Sequence, residues 1–258
     1  DKGGEAQTAV IDVAGIIAPG QPASADNIIE ALKDASADKK VKGIILRMNS
    51  PGGSPVQSDD VFEAIRKLKK EKPELPIVSV VADLCASGCY YVASATDKIF
   101  VNNASVIGSI GVIMGGFGFV EAMKTLGIER RVMTAGEHKA LMDPFAPIDP
   151  VGRAHMQSVL GAVHQQFINA VKTGRGDRLK ETPEMFSGLF WTGEEAVEMG
   201  LADLVVPAAE LMPTAIAFAR RIAANAPLAV SHAMKAAKGG DLAIEAELFG
   251  RTCATQDM

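Results

Sequence analysis

Runs of β-branched and aliphatic residues at positions 9–13, 41–48, 77–81, 98–101 and 130–133 alternate along this chain with segments of helical periodicity. A strand that is apolar on nearly every residue is buried on both faces, and strands of that kind separated by helices build a parallel sheet. The alternation therefore predicts an α/β fold of stacked βαβ units. Segments 26–32, 56–68 and 119–126 carry apolar residues at three-to-four spacing with charges opposite, the pattern of helices that cover a sheet. Gly127 is placed to cap the third. A longer amphipathic helix is expected over 152–171. A short helix opening at Thr192, with Glu195 at capping-box spacing and Gly200 at its end, follows. After a strand candidate at 203–206, Pro207 marks a change to Ala-rich helical sequence without clear strands. The expected division is a domain over 1–207 and a helical segment over 208–258.

With 258 residues, 48% of them hydrophobic and 22% charged, the chain can bury a substantial core, and disorder is excluded. The net charge of −5 and scattered Lys and Arg residues give no footprint for nucleic acid. Cys85, Cys89 and Cys253 cannot all pair and lack zinc-ligand spacing, so neither a metal site nor a disulfide framework is expected. No run approaches the roughly 20 apolar residues of a membrane span. The chain opens on Asp-Lys-Gly-Gly without an initiator Met, which leaves room for an anchor in a missing N-terminal segment.

Two strand-to-helix transitions have the composition of a reactive site. After strand 41–48 comes Asn49-Ser-Pro-Gly-Gly-Ser54, where a Gly pair lets the backbone turn sharply and present bare N–H groups, as an oxyanion hole requires. The same residues would also serve an ordinary βα turn. After strand 77–81, Ser87 precedes a helical run, with its hydroxyl at the positive end of the helix dipole and beside the Gly88 N–H. A serine there is ordinarily an N-cap, so the nucleophile reading rests on a partner base. His138, His155, His164 and His232 show no clear acidic partner in the pattern. Lys139, beside His138, is flanked by Ala140, Leu141 and Met142. A lysine works as a base only when neutral, a state normally imposed by burial away from water, which those neighbours would permit.

Asn49-Ser-Pro-Gly-Gly-Ser-Pro55, Ala86-Ser-Gly-Cys-Tyr-Tyr91, Gly108-Ser-Ile-Gly-Val112 and Gly136-Glu-His-Lys139 occur in the order and approximate spacing of the signal peptide peptidase A family. His164-Gln-Gln-Phe167, Gly174-Arg-Gly-Asp-Arg178 and Trp191-Thr-Gly193 also resemble it, and the resemblance covers about residues 8–206. It implies a ClpP/crotonase fold and a serine endopeptidase acting on extended apolar peptides such as signal-peptide remnants. Ser87 would be the nucleophile and Lys139 the general base. Ser109 would position the lysine amine, and the N–H groups of Gly53 and Gly88 would bind the oxyanion. The resemblance implies no cofactor, a homo-oligomer whose sites can be completed by neighbouring chains, and an inner-membrane, periplasm-facing location.

Two features depart from the family pattern. Cys89 stands where many relatives have Gly; it reads as a small buried helix residue, with a rival nucleophile as the alternative. The tail over 222–257, containing Ile222-Ala-Ala-Asn-Ala-Pro-Leu-Ala-Val230 and Glu245-Ala-Glu-Leu-Phe-Gly-Arg251, resembles the C-terminal helices of enoyl-CoA hydratases. A crotonase-type acyl-CoA enzyme and a catalytically silent assembly scaffold are therefore the rival readings. The Ser87 and Lys139 pair, together with the absence of a clear acidic pair, weighs against the first of these.

Overall fold

A computed structural model describes residues 6–225 together with Ala233, Glu247, Leu248 and Arg251. The enoyl-CoA hydratase-like tail falls almost wholly outside the described residues. The chain forms two compact units, one of Asp1–Ile110 with Ile168–Met258 and a second of Gly111–Phe167.

The first unit is built on one sheet. Strands β1 (Gln7–Ala14), β2 (Val41–Ser50), β3 (Ile77–Ala86), β4 (Lys98–Val101) and β7 (Leu204–Val205) lie side by side in that order. All of these pairings are parallel. Central strand β3 is buried at every residue of its first half, whereas edge strand β1 alternates between exposed and buried positions. Helices α1 (Ala25–Ala37) and α2 (Pro55–Glu71) supply the crossovers. Helix α1 turns Ala25, Ile28 and Leu32 inward, and α2 turns Val61, Phe62, Ile65 and Leu68 inward. Each is opened by a serine that caps in the ordinary way: the Ser24 hydroxyl accepts from the Asn27 N–H, and the Ser54 hydroxyl from the Gln57 N–H.

What positions the site is a change of partner along β3. Residues 78–81 pair with β4, and Leu84, Cys85 and Ala86 pair instead with β5 (Val106–Gly108). The register against β2 slips between Met48, opposite Val81, and Ser50, opposite Cys85. Residues 82–84 thus make the bend by which β3 leaves one neighbour for another. Strand β5 is covered in turn by antiparallel β6 (Phe190–Thr192). Beyond β3 the chain enters α3 (Gly88–Ser94), buried at every residue.

The capping box predicted at Thr192 is present at the head of α6 (Gly193–Glu198), with Thr192 and Glu195 bonding reciprocally. Pro207 is not the edge of a compact unit. Helix α7 (Leu211–Ala223) packs Leu211 and Ala215 into a cluster with Ile45, Val78, Val80, Phe100 and Val206, so it belongs to the sheet's own core. Helix α5 (Pro150–Arg175) starts in the second unit and ends in the first.

In the second unit, α4 (Val120–Thr125) ends at Gly127, whose φ of 66° suits a glycine cap. The strand expected over 130–133 is not formed. That stretch is irregular, and its first two residues make side-chain pairs, Arg130 with Asp143 and Arg131 with Glu129. Arg-Arg-Val-Met offers two charged residues ahead of two apolar ones, too short a run for periodicity to distinguish strand from coil.

Candidate active site

Strand β3 ends at Ala86 and α3 begins at Gly88, so one residue makes the whole turn between them. That residue is Ser87, at φ 51° and ψ −123°. A non-glycine residue held in so sparsely populated a region costs about 1–3 kcal/mol, and persists only where its surroundings enforce it. The backbone is pinned by the Ser87 N–H, which donates to the Gly108 carbonyl at 2.9 Å, and by the Ser87 carbonyl, which accepts from Tyr91 N–H at 3.0 Å.

The capping role that would make Ser87 ordinary is not performed. Unlike Ser24 and Ser54, it has no extended φ/ψ and makes no side-chain capping bond. Its half-buried hydroxyl has no hydrogen-bond partner among the described residues. The side chain is held in strained backbone and left free at the positive end of a helix.

The glycine loop lies against this elbow. Gly52, at φ 91°, is so close that a Cβ on it would stand 2.5 Å from the Gly88 nitrogen, 2.7 Å from the Ala86 oxygen and 2.9 Å from the Ser87 Cβ. Any side chain at position 52 would force loop and elbow apart. A Cβ on Gly88 would collide with Ser58 Oγ and stand 3.2 Å from the Gly53 nitrogen, so the Gly53 and Gly88 amides are neighbours. Gly53 forms an isolated parallel bridge with Ile17: Ile17 N–H donates to the Gly52 carbonyl at 2.9 Å and Ser54 N–H to the Ile17 carbonyl at 2.8 Å. That pattern uses the amides on either side of Gly53 and leaves its own N–H unclaimed. Buried Ser50 completes the loop, its Oγ accepting from the Gly52 N–H at 3.0 Å. Ile17 and Ser50 carry no motif of their own, and their part in shaping this loop was not visible in the sequence.

Ser109 follows Gly108, the residue whose carbonyl holds Ser87. It is half-buried, has a φ of 49°, and is anchored by its N–H to the Leu189 carbonyl at 2.7 Å. The fold thus gathers Ser87, Gly88, Gly53 and the Ser109 backbone around one strand end. Lys139 lies in the second unit, in a turn where its N–H donates to the Gly136 carbonyl at 3.2 Å. Lys139, Ala140 and Met142 are exposed and Leu141 is half-buried, so the flanking residues do not enclose the lysine as anticipated. His138 does find an acidic neighbour, Asp149, at 3.5 Å, but both side chains are about half exposed.

Cys85 and Cys89 form a disulfide, contrary to the expectation that the cysteines lacked a framework. In a continuing strand a spacing of four would keep the two Cα atoms apart, and here they meet because the chain folds back at Ser87, which the sequence alone does not reveal. The bridge removes the thiolate that Cys89 would need as a rival nucleophile. No group of three His, Cys, Asp or Glu side chains able to hold a metal occurs among the described residues. A cavity of about 930 Å³ lies against Pro76, Asp97 and Lys98, at the beginnings of β3 and β4 and thus at the other end of the strands from Ser87.

A serine on a strained elbow, with the Gly53 and Gly88 amides beside it on an α/β scaffold, is an arrangement that can perform acyl-transfer chemistry. The sequence profile of peptidase family S49 matches residues 68–216, more than half of the chain. The chain belongs to that family. It is 42% identical over 172 residues to a Brucella melitensis protein named Na(+)/H(+) antiporter NhaA, covering 67% of this chain and 23% of that protein. It is 33% identical over 180 residues (69% of this chain, 52% of the other) to an Enterococcus faecium protein provisionally named signal peptide peptidase SppA. It is 29% identical over 235 residues (88% and 34%) to the chloroplastic serine protease SPPA of Arabidopsis thaliana. The chain therefore spans between about a quarter and a half of the length of these relatives. No described helix is long and apolar enough to cross a membrane.

Proposed function

We propose that this chain carries a Ser-Lys endopeptidase centre on a ClpP/crotonase-type fold, with Ser87 as nucleophile and Lys139 as general base. The observation that carries the reading is the state of Ser87, whose hydroxyl makes no capping bond and has no partner among the described residues, on a strained elbow beside the Gly53 and Gly88 amides. Ser87 Oγ attacks the scissile carbonyl, and the charge that develops on its oxygen is met by those two N–H groups at the head of α3. Lys139 takes the hydroxyl proton and returns it to the leaving amine, and water then clears the acyl-enzyme. Ser109 holds the lysine amine without a carboxylate that would keep it charged.

The substrate class is an extended apolar peptide such as a signal-peptide remnant, in keeping with the signal peptide peptidase name of the Enterococcus relative. The protein acts as a homo-oligomer, and the exposure of Lys139 favours a base enclosed only on assembly, with a neighbouring chain able to complete each dyad. Exposed Ile113, Phe117, Met133 and Ile148 in the second unit supply apolar surface for such contacts. The Cys85–Cys89 bridge suits an oxidising compartment, which supports a periplasm-facing location.

Mass spectrometry after treatment with a fluorophosphonate tests the reading directly. A single adduct on Ser87 is expected, together with loss of both adduct and peptide hydrolysis in Ser87→Ala at an unchanged circular dichroism spectrum. Lys139→Arg, which stays charged through the working range, is expected to be nearly inactive. Undiminished hydrolysis by Ser87→Ala would remove the nucleophile assignment, and acyl-CoA turnover without adduct would place the site among the crotonases instead.

A further inference from the structure

The disulfide does not sit at random with respect to the elbow. Cys85 is the penultimate residue of β3, Cys89 the second residue of α3, and Ser87 stands midway between them. Four residues of continuing strand would carry the two Cα atoms about 13 Å apart, and the bridge holds them at 5.1 Å. It therefore ties the outgoing strand direction to the incoming helix direction across the single residue whose backbone is strained. Backbone hydrogen bonds to Gly108 and from Tyr91 and the close approach of Gly52 fix where the elbow lies, and the bridge shares with the packing of buried α3 the task of setting the angle between strand and helix.

Both sulfur-bearing residues are fully buried, at 0% exposure, so the bridge is shielded from solvent thiols in the folded protein. That burial favours a permanent clamp over a switch that opens and closes during function.

We propose that the Cys85–Cys89 disulfide is a positioning element for Ser87. It holds the hydroxyl in line with the Gly53 and Gly88 amides, so that its loss lowers turnover with little effect on substrate binding. The inference rests on Ser87 being the nucleophile. Cys85 and Cys89 are positioning residues, acting through the elbow.

The test compares wild type, the double variant Cys85→Ala/Cys89→Ala and Ser87→Ala as purified full chains, at a temperature well below each melting transition. Peptide hydrolysis and the rate of fluorophosphonate labelling are followed, and alkylation under denaturing, non-reducing conditions counts free thiols. Wild type is expected to show Cys85 and Cys89 unreactive. The double variant should fold with an unchanged circular dichroism spectrum, lose about ten- to a hundredfold in kcat and in labelling rate, and keep KM within about twofold. Unchanged kcat and labelling would overturn the proposal, as would a raised KM at constant kcat, which would make the bridge part of the binding groove. Failure of the double variant to fold would overturn it in favour of a general staple, and free Cys85 and Cys89 in wild type would remove the bridge altogether. An active Ser87→Ala would instead refute the nucleophile assignment, whatever the cysteine variant does.

Discussion

At the scale of single residues, the contrast between three serines that each precede a helix is the most informative feature of the molecule. Ser24 and Ser54 accept capping hydrogen bonds from extended backbone, and Ser87 at positive φ accepts none. Composition does not separate them, because a serine before a helical run has the same local signature in all three places. The motif Ser-Gly-Cys-Tyr-Tyr singled out Ser87, and the backbone shows why it is different. Gly52 is the complementary residue, since its missing Cβ is the space in which loop and elbow meet. Gly52→Ala is expected to push the Gly53 amide away from Ser87 and lower kcat by about 10²–10³-fold, the size of effect that follows loss of one oxyanion donor. The fold should survive, because the loop faces a site and not the sheet core. Burst kinetics with an activated ester, beside a circular dichroism melt, would check this; an undiminished acylation rate would show that Gly53 takes no part.

Among the elements, two attachments hold the first unit together, and each makes a different prediction. Helix α7 closes the sheet through Leu211, 5% exposed against Val78, Val80, Phe100 and Val206. Leu211→Ala leaves a cavity there and is expected to cost about 2–5 kcal/mol, read as a lowered urea midpoint at constant slope. The end of α5 is tied to the approach of β7 by Arg175, whose side chain is 0% exposed and which meets Asp203 at 2.8 Å. Arg175 also donates to the Gly200 carbonyl at 2.9 Å, and Lys98 approaches Asp203 at 3.3 Å. Burial by itself would raise the Asp203 carboxyl. The hydrogen bond and charge of Arg175, the Ile99 N–H and the Lys98 charge together outweigh it, so the carboxyl is held below its usual 3.8. A carboxylate whose folded pKa lies below its unfolded one stabilises the fold fully above the unfolded value, and that contribution is lost as pH falls from there through the folded value. Asp203→Asn is accordingly expected to destabilise by about 3–5 kcal/mol at neutral pH, by leaving Arg175 buried without its counter-ion. The deficit should narrow below roughly pH 4. Denaturation at neutral and acid pH distinguishes this from simple loss of packing, which would give the same deficit at both.

For the whole molecule, the salient surface is that of the Gly111–Phe167 unit, which leaves apolar side chains uncovered, Met133 at 100% and Ile113 at 92% exposure. If this surface meets other copies of the chain, light scattering should find a homo-oligomer and Phe117→Asp should reduce its size; a monomeric wild-type chain at micromolar concentration would refute assembly. The elements whose signals are local were legible in the sequence. The buried runs of β2, β3 and β4, the apolar stripes of α1 and α2, the Thr192–Glu195 capping box and the Gly127 cap each depend on residues within a turn or two of one another. Strands β5 and β6 were not legible, because three residues show no period and exist as strands only when a neighbour pairs with them. Ser87 and the glycine loop were named from motif order, but their meeting was decided by tertiary structure. The partner change of β3, the Ile17–Gly53 bridge and the fold-back that joins Cys85 to Cys89 set that geometry. Local sequence specifies propensities and periods. The angle of a one-residue elbow, and which amides stand beside it, depend on contacts between segments distant in the chain, such as Ile17 with Gly53 and Gly52 with Ser87, and no local pattern records them.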